Sequence, residues 1–331
     1  MLTEFSHDPT GLTHASGILI ASGEKGLLQM FPREVVTGTI FAGHDSPGHP
    51  ESQSRLLCAM EGIPGGIKVL EPKIASPEDL AMSHDEAYIG AIEERCRECL
   101  PGKCQNLDSD TYITRDSYTI ASLAAGSAIT AVQRVLSGHH CFAMVRPPGH
   151  HAGKRTAMGF CIFNNAAIAA SYALMRCDRV AIVDWDVHHG NGTQEIFYDS
   201  PDLLYCSVHQ AFLFPGTGMP DETGTGSGEG FTLNIPLPAG SALKEYQAAF
   251  EHVILPGLEK YQPDIVIVSA GQDCLYDDPL GGMDLCAADF GEMTRWVCEC
   301  AGGPVAFILE GGYGPSHGKA VAEIFRAMGN G

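Results

Sequence analysis

Basic residues are scarce in this 331-residue sequence. It has 20 Lys and Arg against 40 Asp and Glu, which gives a formal net charge of −20 at pH 7. Because contacts to nucleic-acid phosphates are made by Lys and Arg, this balance argues against a nucleic-acid partner. An acidic protein attracts cations over long distances, so the same balance suits a cationic substrate.

Long apolar runs and a leader segment are also missing. No stretch of about 20 apolar residues stands out, so we predict no transmembrane helix and no membrane partner. The first residues, MLTEFSHDPTG, lack a basic start followed by an apolar run, so we expect no signal peptide. We therefore expect a cytoplasmic protein.

A regular cysteine framework is absent as well. The twelve cysteines form only two clusters, Cys96 with Cys99 and Cys104, and Cys298 with Cys300. Small secreted domains carry denser and more regular cysteines. We interpret these residues as reduced structural thiols, with a second metal or redox site as the alternative.

Apolar runs rich in β-branched residues recur through the C-terminal two thirds of the chain. They predict strands at CFAMV (141–145), RVAIVD (179–184), LLYCSV (203–208), DIVIVSA (264–270) and PVAFILE (304–310). Near-continuous apolar strands are typical of parallel sheets buried on both faces. Helices are predicted from about Pro50, from Ser76, and at 117–138, 164–176, 241–261 and 286–301. The alternation predicts a doubly wound α/β fold, with residues 1–331 as a single domain.

Unusual polar residues follow these predicted strands, always at the same end. The segments are RPPGHH, DWDVHHGNG, SVHQ, GQDCLYDDPLGG and GGYG, one for each strand. In open α/β sheets, binding sites form at the carboxyl ends of the strands. We therefore expect these segments to meet at one site.

The segment DWDVHHGNG contains a candidate pair of metal ligands. If the chain stays extended beyond Asp184, the side chains of Asp184, Asp186 and His188 share one face. Asp273, at another strand end, is the candidate third ligand. Two carboxylates and one imidazole leave a coordination position open, as in catalytic zinc sites, and they also suit Fe(II) or Co(II). The alternative is that the carboxylates cap strand-end amides and the histidines pack in a polar core.

Two further groups are candidates for catalysis. His150 and His151 follow the rigid Pro-Pro-Gly segment of RPPGHHAG. A catalytic histidine needs a partner that fixes its tautomer, and Asp184 and Asn191 are available, one for each. The hydroxyl of Tyr313, in LEGGYG, is a candidate donor to a developing oxyanion.

The assembled motifs resemble the zinc-dependent histone deacetylase family. They look most like its class II and bacterial deacetylase-like amidohydrolases, and they are similar to acetylpolyamine amidohydrolases. The matching segments run in family order from about residue 44 to 314: HPESQSRL, LDSDTY, RPPGHHAG, GFCIFNNAAIAA, VDWDVHHGNGTQEIFY, SVHQAFLFPGTG, SAGQDCLYDDPLGG and LEGGYG. The resemblance implies the arginase/deacetylase fold, with helices on both faces of an eight-stranded, mostly parallel sheet. Residues 1–45 match only weakly, in a region that usually shapes the pocket mouth.

The resemblance also implies roles for the residues already noted. It makes one zinc ion the cofactor and assigns its ligands as Asp186, His188 and Asp273. It implies that the catalytic groups are His150 paired with Asp184, His151 paired with Asn191, and Tyr313.

Five residues are implied at the acyl channel. Phe160 and Phe214 match the aromatic walls, and Gly159 matches the residue whose carbonyl accepts from the substrate amide. Asp110 aligns with an acidic rim residue that holds the substrate backbone. Leu280 stands where a polyamine-preferring vertebrate member has a glutamate, which weakens the polyamine case.

A structural monovalent cation, K⁺ or Na⁺, is a further implication of the resemblance. The family binds it mostly through backbone carbonyls. The matching positions are Asp184, Asp186, His188, Ser207 and Val208, so two aspartates would serve both the chemistry and the scaffold.

These observations predict an amidohydrolase that removes acyl groups, chiefly acetyl, from N-acylated amines. The preferred substrate is N-ε-acetyl-lysine in a peptide or protein. An acetylated polyamine or another small amide is the close alternative. A non-catalytic acyl-lysine-binding module and a two-metal arginase-like hydrolase are more distant ones, and the sequence is compatible with an oligomer.

Overall fold

The computed structural model describes residues 31–329. Its strands, in chain order, are β1 Arg33–Val36, β2 Lys68–Leu70, β3 Gln105–Asn106, β4 Tyr112–Ile113, β5 His140–Ala143, β6 Val180–Asp184, β7 Leu203–Gln210, β8 Thr232–Leu237, β9 Ile265–Ala270 and β10 Val305–Leu309. Eight of them form one sheet in the order β2-β1-β5-β10-β9-β6-β7-β8, and every neighbouring pair is parallel. β3 and β4 form a separate antiparallel pair. The predicted α/β class and eight-stranded sheet are confirmed.

Helices connect the strands of the large sheet. They are α1 Gln53–Glu61, α2 Pro77–Leu80, α3 Glu86–Glu98, α4 Ser117–Leu136, α5 Asn165–Leu174, α6 Asn191–Phe197, α7 Leu243–Ala249, α8 Leu255–Tyr261, α9 Ala287–Ala301 and α10 His317–Ala327. A π-helical segment, Phe250–Ile254, joins α7 to α8, and short 3₁₀ helices lie at Thr39–Gly43 and Gly226–Gly228. Residues 1–30 of the segment predicted to shape the pocket mouth lie outside the described residues.

The central strands are buried throughout, which explains their continuous apolar sequences. Every residue of β5, β6, β9 and β10 is buried. One group of helices, α2 to α5, packs together, and a second group is built from α1, α8, α9 and α10. Because helices cover the sheet, the strands need no polar face.

Several elements were not predicted, and their sequences explain why. β2 has three residues and is largely exposed, so it lacks the apolar run of a buried strand. β8 forms the opposite edge of the sheet and contains Pro236. Proline cannot donate a ladder hydrogen bond and is therefore confined to edge strands. α6 is too short to show a helical period.

One described helix, α4, is long and apolar enough to cross a membrane by length and composition alone. Most of its residues are buried inside the protein. It packs against α5 and β5. Its small side chains permit close contact, and at Gly126 an added Cβ would collide with the backbone of the segment before α2.

The cysteines lie as free thiols in this structure. Cys96 and Cys99 are buried in the core formed with α2 to α5, and Cys104 is exposed. Burial raises the pKa of the Cys96 thiol to about 12. A thiol in such surroundings is a poor nucleophile, because the thiolate is the reactive form.

A buried ion pair ties the segment before α1 to the loop after β5. The guanidinium of Arg146 donates to both carboxylate oxygens of Glu51, at 2.9 and 2.7 Å, and neither side chain is exposed. Arg55 also donates to Glu51, at 3.2 Å. Burial opposes the charged form of Glu51, but Arg146 and Arg55 outweigh it and lower its pKa to about 2.

The substitution Glu51→Gln is expected to lower the free energy of unfolding by about 3–5 kcal/mol, because Arg146 would remain buried without its counter-charge. Urea denaturation at pH 7 measures this change. Since the folded pKa is below the usual 4.5, the stabilisation is complete above that pH and is lost as the pH falls toward about 2. The difference between the two proteins should therefore shrink between about pH 5 and pH 3.

Glu61→Gln, at the exposed C-terminal end of α1, the helix that follows Glu51, is the matched control. It should change stability by no more than about 0.5 kcal/mol. An equal effect of the two substitutions at pH 7 would contradict the assignment of Glu51 as a stabilising buried charge.

Candidate active site

Asp186, His188 and Asp273 meet at the carboxyl edge of the sheet. The first two lie in the loop after β6 and the third in the loop after β9, and these strands are neighbours. Nδ1 of His188 is 3.1 Å from Oδ1 of Asp186 and 3.2 Å from Oδ2 of Asp273. One ligand atom from each residue lies within 4.8 Å of the others, and this is the one group of its kind within residues 31–329.

The donor set of these three residues fits a divalent cation. Asp273 Oδ1 accepts from the amide of Val187 at 2.8 Å, and Asp186 Oδ2 accepts from the amide of Gly311 at 2.7 Å. Asp273 Oδ2 is buried and accepts no hydrogen bond in the described part of the chain. A buried acceptor without a donor is costly, and a metal ion would satisfy it. Three ligands leave a coordination position for water or substrate.

The charges of the three residues depend strongly on one another. Burial and the neighbouring charge of Asp186 raise the pKa of Asp273 to about 7. Burial opposes protonation of His188, but the two carboxylates raise its pKa to about 10. Burial acts on Asp186 too, yet His150 and His188 hold its pKa below the ordinary value. A bound cation would relieve the repulsion between the carboxylates and displace the imidazole proton.

The two histidines of RPPGHH have different partners. His150 Nδ1 donates to Asp184 Oδ2 at 3.1 Å, whereas His151 Nδ1 donates to the amide oxygen of Asn191 at 2.8 Å. Their rings are stacked obliquely, with centroids 4.1 Å apart. Burial disfavours the charge on His150, but Asp186 and Asp184 raise its pKa well above the usual value. Burial and the charge of His150 lower the pKa of His151 well below the usual value.

Asp184 is held by groups on three sides. Its Oδ2 also accepts from the hydroxyl of Tyr205 at 3.0 Å, and its Oδ1 accepts from the amide of Asp186 at 3.1 Å. In the sheet it stands opposite Ser207, the first of the two β7 residues expected at the cation site. Val208 follows it along the same buried strand. The monovalent cation itself stays a prediction.

Two buried carboxylates that sequence reasoning missed position the catalytic candidates. Glu310 accepts from the amides of Gly149 and His150, at 2.7 and 3.1 Å, and burial raises its pKa to about 7. Asp278 accepts from the amides of Tyr313 and Gly314, at 2.6 and 2.9 Å. Glu310 ends a predicted apolar strand, and a carboxylate at that position was the available signal. Nothing local distinguishes Asp278 from the preceding Asp277.

Glycines leave room for the metal-binding carboxylates. An added Cβ at Gly311 would overlap the carboxylates of both Asp273 and Asp186, and one at Gly271 would overlap that of Asp186. Gly271 directly follows β9, and Gly311 lies two residues after the end of β10. The chain therefore needs a residue without a side chain wherever a strand end passes behind these ligands.

A cavity of about 270 Å³ opens above the three residues. The five residues expected at the acyl channel all line it, namely Asp110, Gly159, Phe160, Phe214 and Leu280, and so do Tyr313 and the unpredicted Leu213. The Phe160 ring meets Tyr313 edge to face at 5.9 Å between centroids, and Phe214 meets His151 at 5.1 Å. At Gly159, with φ +54°, any Cβ would press on the His151 ring.

A buried polar network supports the loop that carries Phe214. His189 Nδ1 accepts from the hydroxyl of Thr217 at 2.7 Å, and its Nε2 donates to Gln194 at 3.0 Å. Gln194 in turn donates to Glu222 at 2.6 Å, and Glu222 accepts from the amide of Gly218 at 3.1 Å.

The fold and the site have clear relatives. Residues 49–328 match the model of the histone deacetylase domain. A probable deacetylase of Archaeoglobus fulgidus is 42% identical over 298 residues, covering 84% of this chain and 82% of that protein. A histone deacetylase-like amidohydrolase of Pseudomonas aeruginosa is 38% identical, over 85% and 77% of the two chains. The crystal structure of the HDA15 HD domain superposes with a TM-score of 0.86 at 36% identity, covering 90% of each chain.

The substitution Gly311→Ala is expected to weaken binding of divalent metal by about tenfold or more, because the new methyl group displaces two ligand carboxylates. Metal content after dialysis against a competing chelator measures this. Gly303→Ala, at a half-buried bend before β10 where an added Cβ would meet no atom closer than 3.9 Å, is the control and should bind metal as the parent does. Equal metal retention by both variants would remove these carboxylates from the metal site.

Proposed function

The chain belongs to the histone deacetylase family, and we propose that it hydrolyses N-ε-acetyl-lysine side chains in peptides or proteins with a bound zinc ion. One observation carries this proposal: an open group of three metal-binding residues lies at the base of a cavity walled by Phe160 and Phe214. A flexible methylene chain suits an aromatic-walled slot, and its terminal amide would reach the three residues.

Asp186, His188 and Asp273 would hold the zinc ion, which would supply Lewis acidity toward the amide carbonyl and the attacking water. The same donors accept Fe(II) or Co(II), so the metal preference is part of the proposal. We also propose that K⁺ or Na⁺ binds beside Asp184, near Ser207 and Val208, where it would stabilise the loop that presents the ligands.

The two histidines divide the proton transfers according to their partners. His151 faces a neutral amide and two other imidazoles, so it is neutral, and Nε2 is its free nitrogen. It therefore accepts the proton of the attacking water and returns it to the leaving amine. His150 lies against Asp184 and near Asp186 and stays cationic, which stabilises the negative charge that develops on the substrate.

We propose that Tyr313 stabilises the tetrahedral oxyanion. Its main chain is fixed by Asp278, and the guanidinium of Arg55 lies over its ring at 5.2 Å from the centroid. Burial raises the pKa of the Tyr313 hydroxyl well above its ordinary value. The hydroxyl therefore remains protonated and donates a hydrogen bond to the oxyanion.

An acetylated polyamine is the second candidate substrate, favoured by the net charge of −20 and by Asp110 in the cavity lining. Leu280, in the cavity lining, favours acetyl-lysine instead. Its apolar side chain cannot form a hydrogen bond or an ion pair with the second amine of a polyamine. The expected result is a higher kcat/KM for an acetyl-lysine peptide than for acetylputrescine, measured on zinc-loaded protein. A reversed order would make the polyamine the substrate. Binding of both without turnover would indicate a non-catalytic module.

Tyr313→Phe should lower kcat by about 10²- to 10³-fold, because it removes one donor to the oxyanion. The zinc content should stay unchanged, since Tyr313 is not a proposed ligand. Tyr276→Phe, which changes an exposed tyrosine in the loop after β9, is the matched control and should retain full activity. A parent-like kcat for Tyr313→Phe would remove the hydroxyl from the mechanism.

A further inference from the structure

Phe212 lies in the loop after β7, two residues before Phe214 of the cavity wall. It is 92% exposed, more than any other large apolar residue in the described part of the chain. Leu213 and Phe214, which follow it directly, line the cavity, but Phe212 itself does not. Its ring therefore lies outside the channel, on the surface next to the entrance.

The backbone of Phe212 is also strained. Its φ is +60°, in the left-handed region that glycine and asparagine adopt far more readily than a residue with a bulky side chain. The loop is fixed on both sides of this residue. Ala211 donates to the carbonyl of Leu237 at 2.8 Å, and the Gly216 amide donates to that of Leu213 at 2.8 Å. Thr217 then anchors the loop to His189.

Neither feature helps the described part of the chain to fold. An exposed ring gains no burial, and the left-handed backbone opposes folding. Strained residues of this kind occur at ligand-binding sites, where exposed aromatic rings are typical contact residues. Within residues 31–329, a hydrogen-bonded loop thus presents an aromatic ring without a packing partner beside the cavity.

We propose that Phe212 is a specificity-determining residue, whose ring contacts an apolar side chain next to the acyl-lysine of a polypeptide substrate. This inference rests on the proposed deacetylase function. A small amide that ends within the cavity does not reach Phe212, whereas a polypeptide extends across the entrance on both sides of the acyl-lysine. The ring would therefore favour substrates with an apolar neighbour over those with glycine.

The experiment compares zinc-loaded parent protein with Phe212→Asn on two acetyl-lysine peptides that differ only in having Phe or Gly on each side of the lysine. For the parent, kcat/KM should be about tenfold higher with the Phe peptide, mainly through KM, as expected for burial of one aromatic contact. In the variant this ratio should fall to near one. Its midpoint of urea denaturation should not decrease, because asparagine adopts the left-handed region with less strain.

Gln262→Asn is the matched control. Gln262 also has a positive φ, +52°, but it caps the C-terminus of α8, shortly before β9 begins, and so lies at the end of the sheet away from the cavity. The control should relieve backbone strain in the same way and keep the parent's preference for the Phe peptide. A loss of preference in both variants would show that strain relief, and not the ring, is responsible.

Two further outcomes would overturn the inference. An unchanged peptide ratio in Phe212→Asn would mean that the ring makes no substrate contact. A clear decrease in its denaturation midpoint would mean that the ring packs against residues 1–30 or against a second copy, which light scattering would distinguish. If the parent hydrolyses neither peptide, the proposed function itself fails, whereas equal rates on both peptides reject only the role of Phe212.

Discussion

The close approach of two buried carboxylates, those of Asp186 and Asp273, is the constraint on which this structure depends. Like charges in a poorly hydrated site repel each other, and burial together with this repulsion raises the pKa of Asp273. In the described part of the chain, the imidazoles of His188 and His150 offset it, as do three backbone amides that donate to the two carboxylates. A bound cation would offset it further. The surrounding structure therefore consists of groups that fix these oxygens in place and leave one of them without a donor.

The order of the strands in the parallel sheet brings the groups around these carboxylates together. β5, β10, β9 and β6 are adjacent, so their carboxyl ends deliver the histidine pair, Tyr313, Asp273 and Asp186 to one place. Glycines at the strand ends keep space behind the carboxylates free. Glu310 and Asp278 then fix the backbone amides of the catalytic candidates. Asp186 and Asp184 raise the pKa of His150, whereas burial and the charge of His150 lower that of His151, so the two adjacent histidines are suited to unequal roles.

The loop after β7 joins this scaffold to the substrate side. Its buried end is held by the network around His189, and its outer end presents Phe214 to the channel and Phe212 to solvent. Because hydrogen bonds hold the buried part of the loop, Phe212 can keep its strained backbone conformation. On our proposal, this loop connects the candidate chemical centre to an entrance whose peptide preference depends on Phe212.

Much of this protein could be predicted from its sequence by itself. The apolar runs determined the central strands, the alternation with helices determined the α/β class, and polar residues after each run indicated the edge of the sheet where they would meet. Asp186, His188 and Asp273 were selected this way, and the structure brings them together. Strand alternation and burial on both faces are local or nearly local properties, which is why the sequence displays them.

Other features were decided only by the tertiary structure. The edge strands β2 and β8 carry no continuous apolar signal, and they become strands because a neighbour pairs with them. The amides bound by Glu310 and Asp278, the burial of Glu51 against Arg146, and the exposure of Phe212 are relations between distant segments. Because hydrogen bonding, burial and the resulting pKa shifts depend on which residues the folded chain brings into contact, no local pattern of residues specifies them.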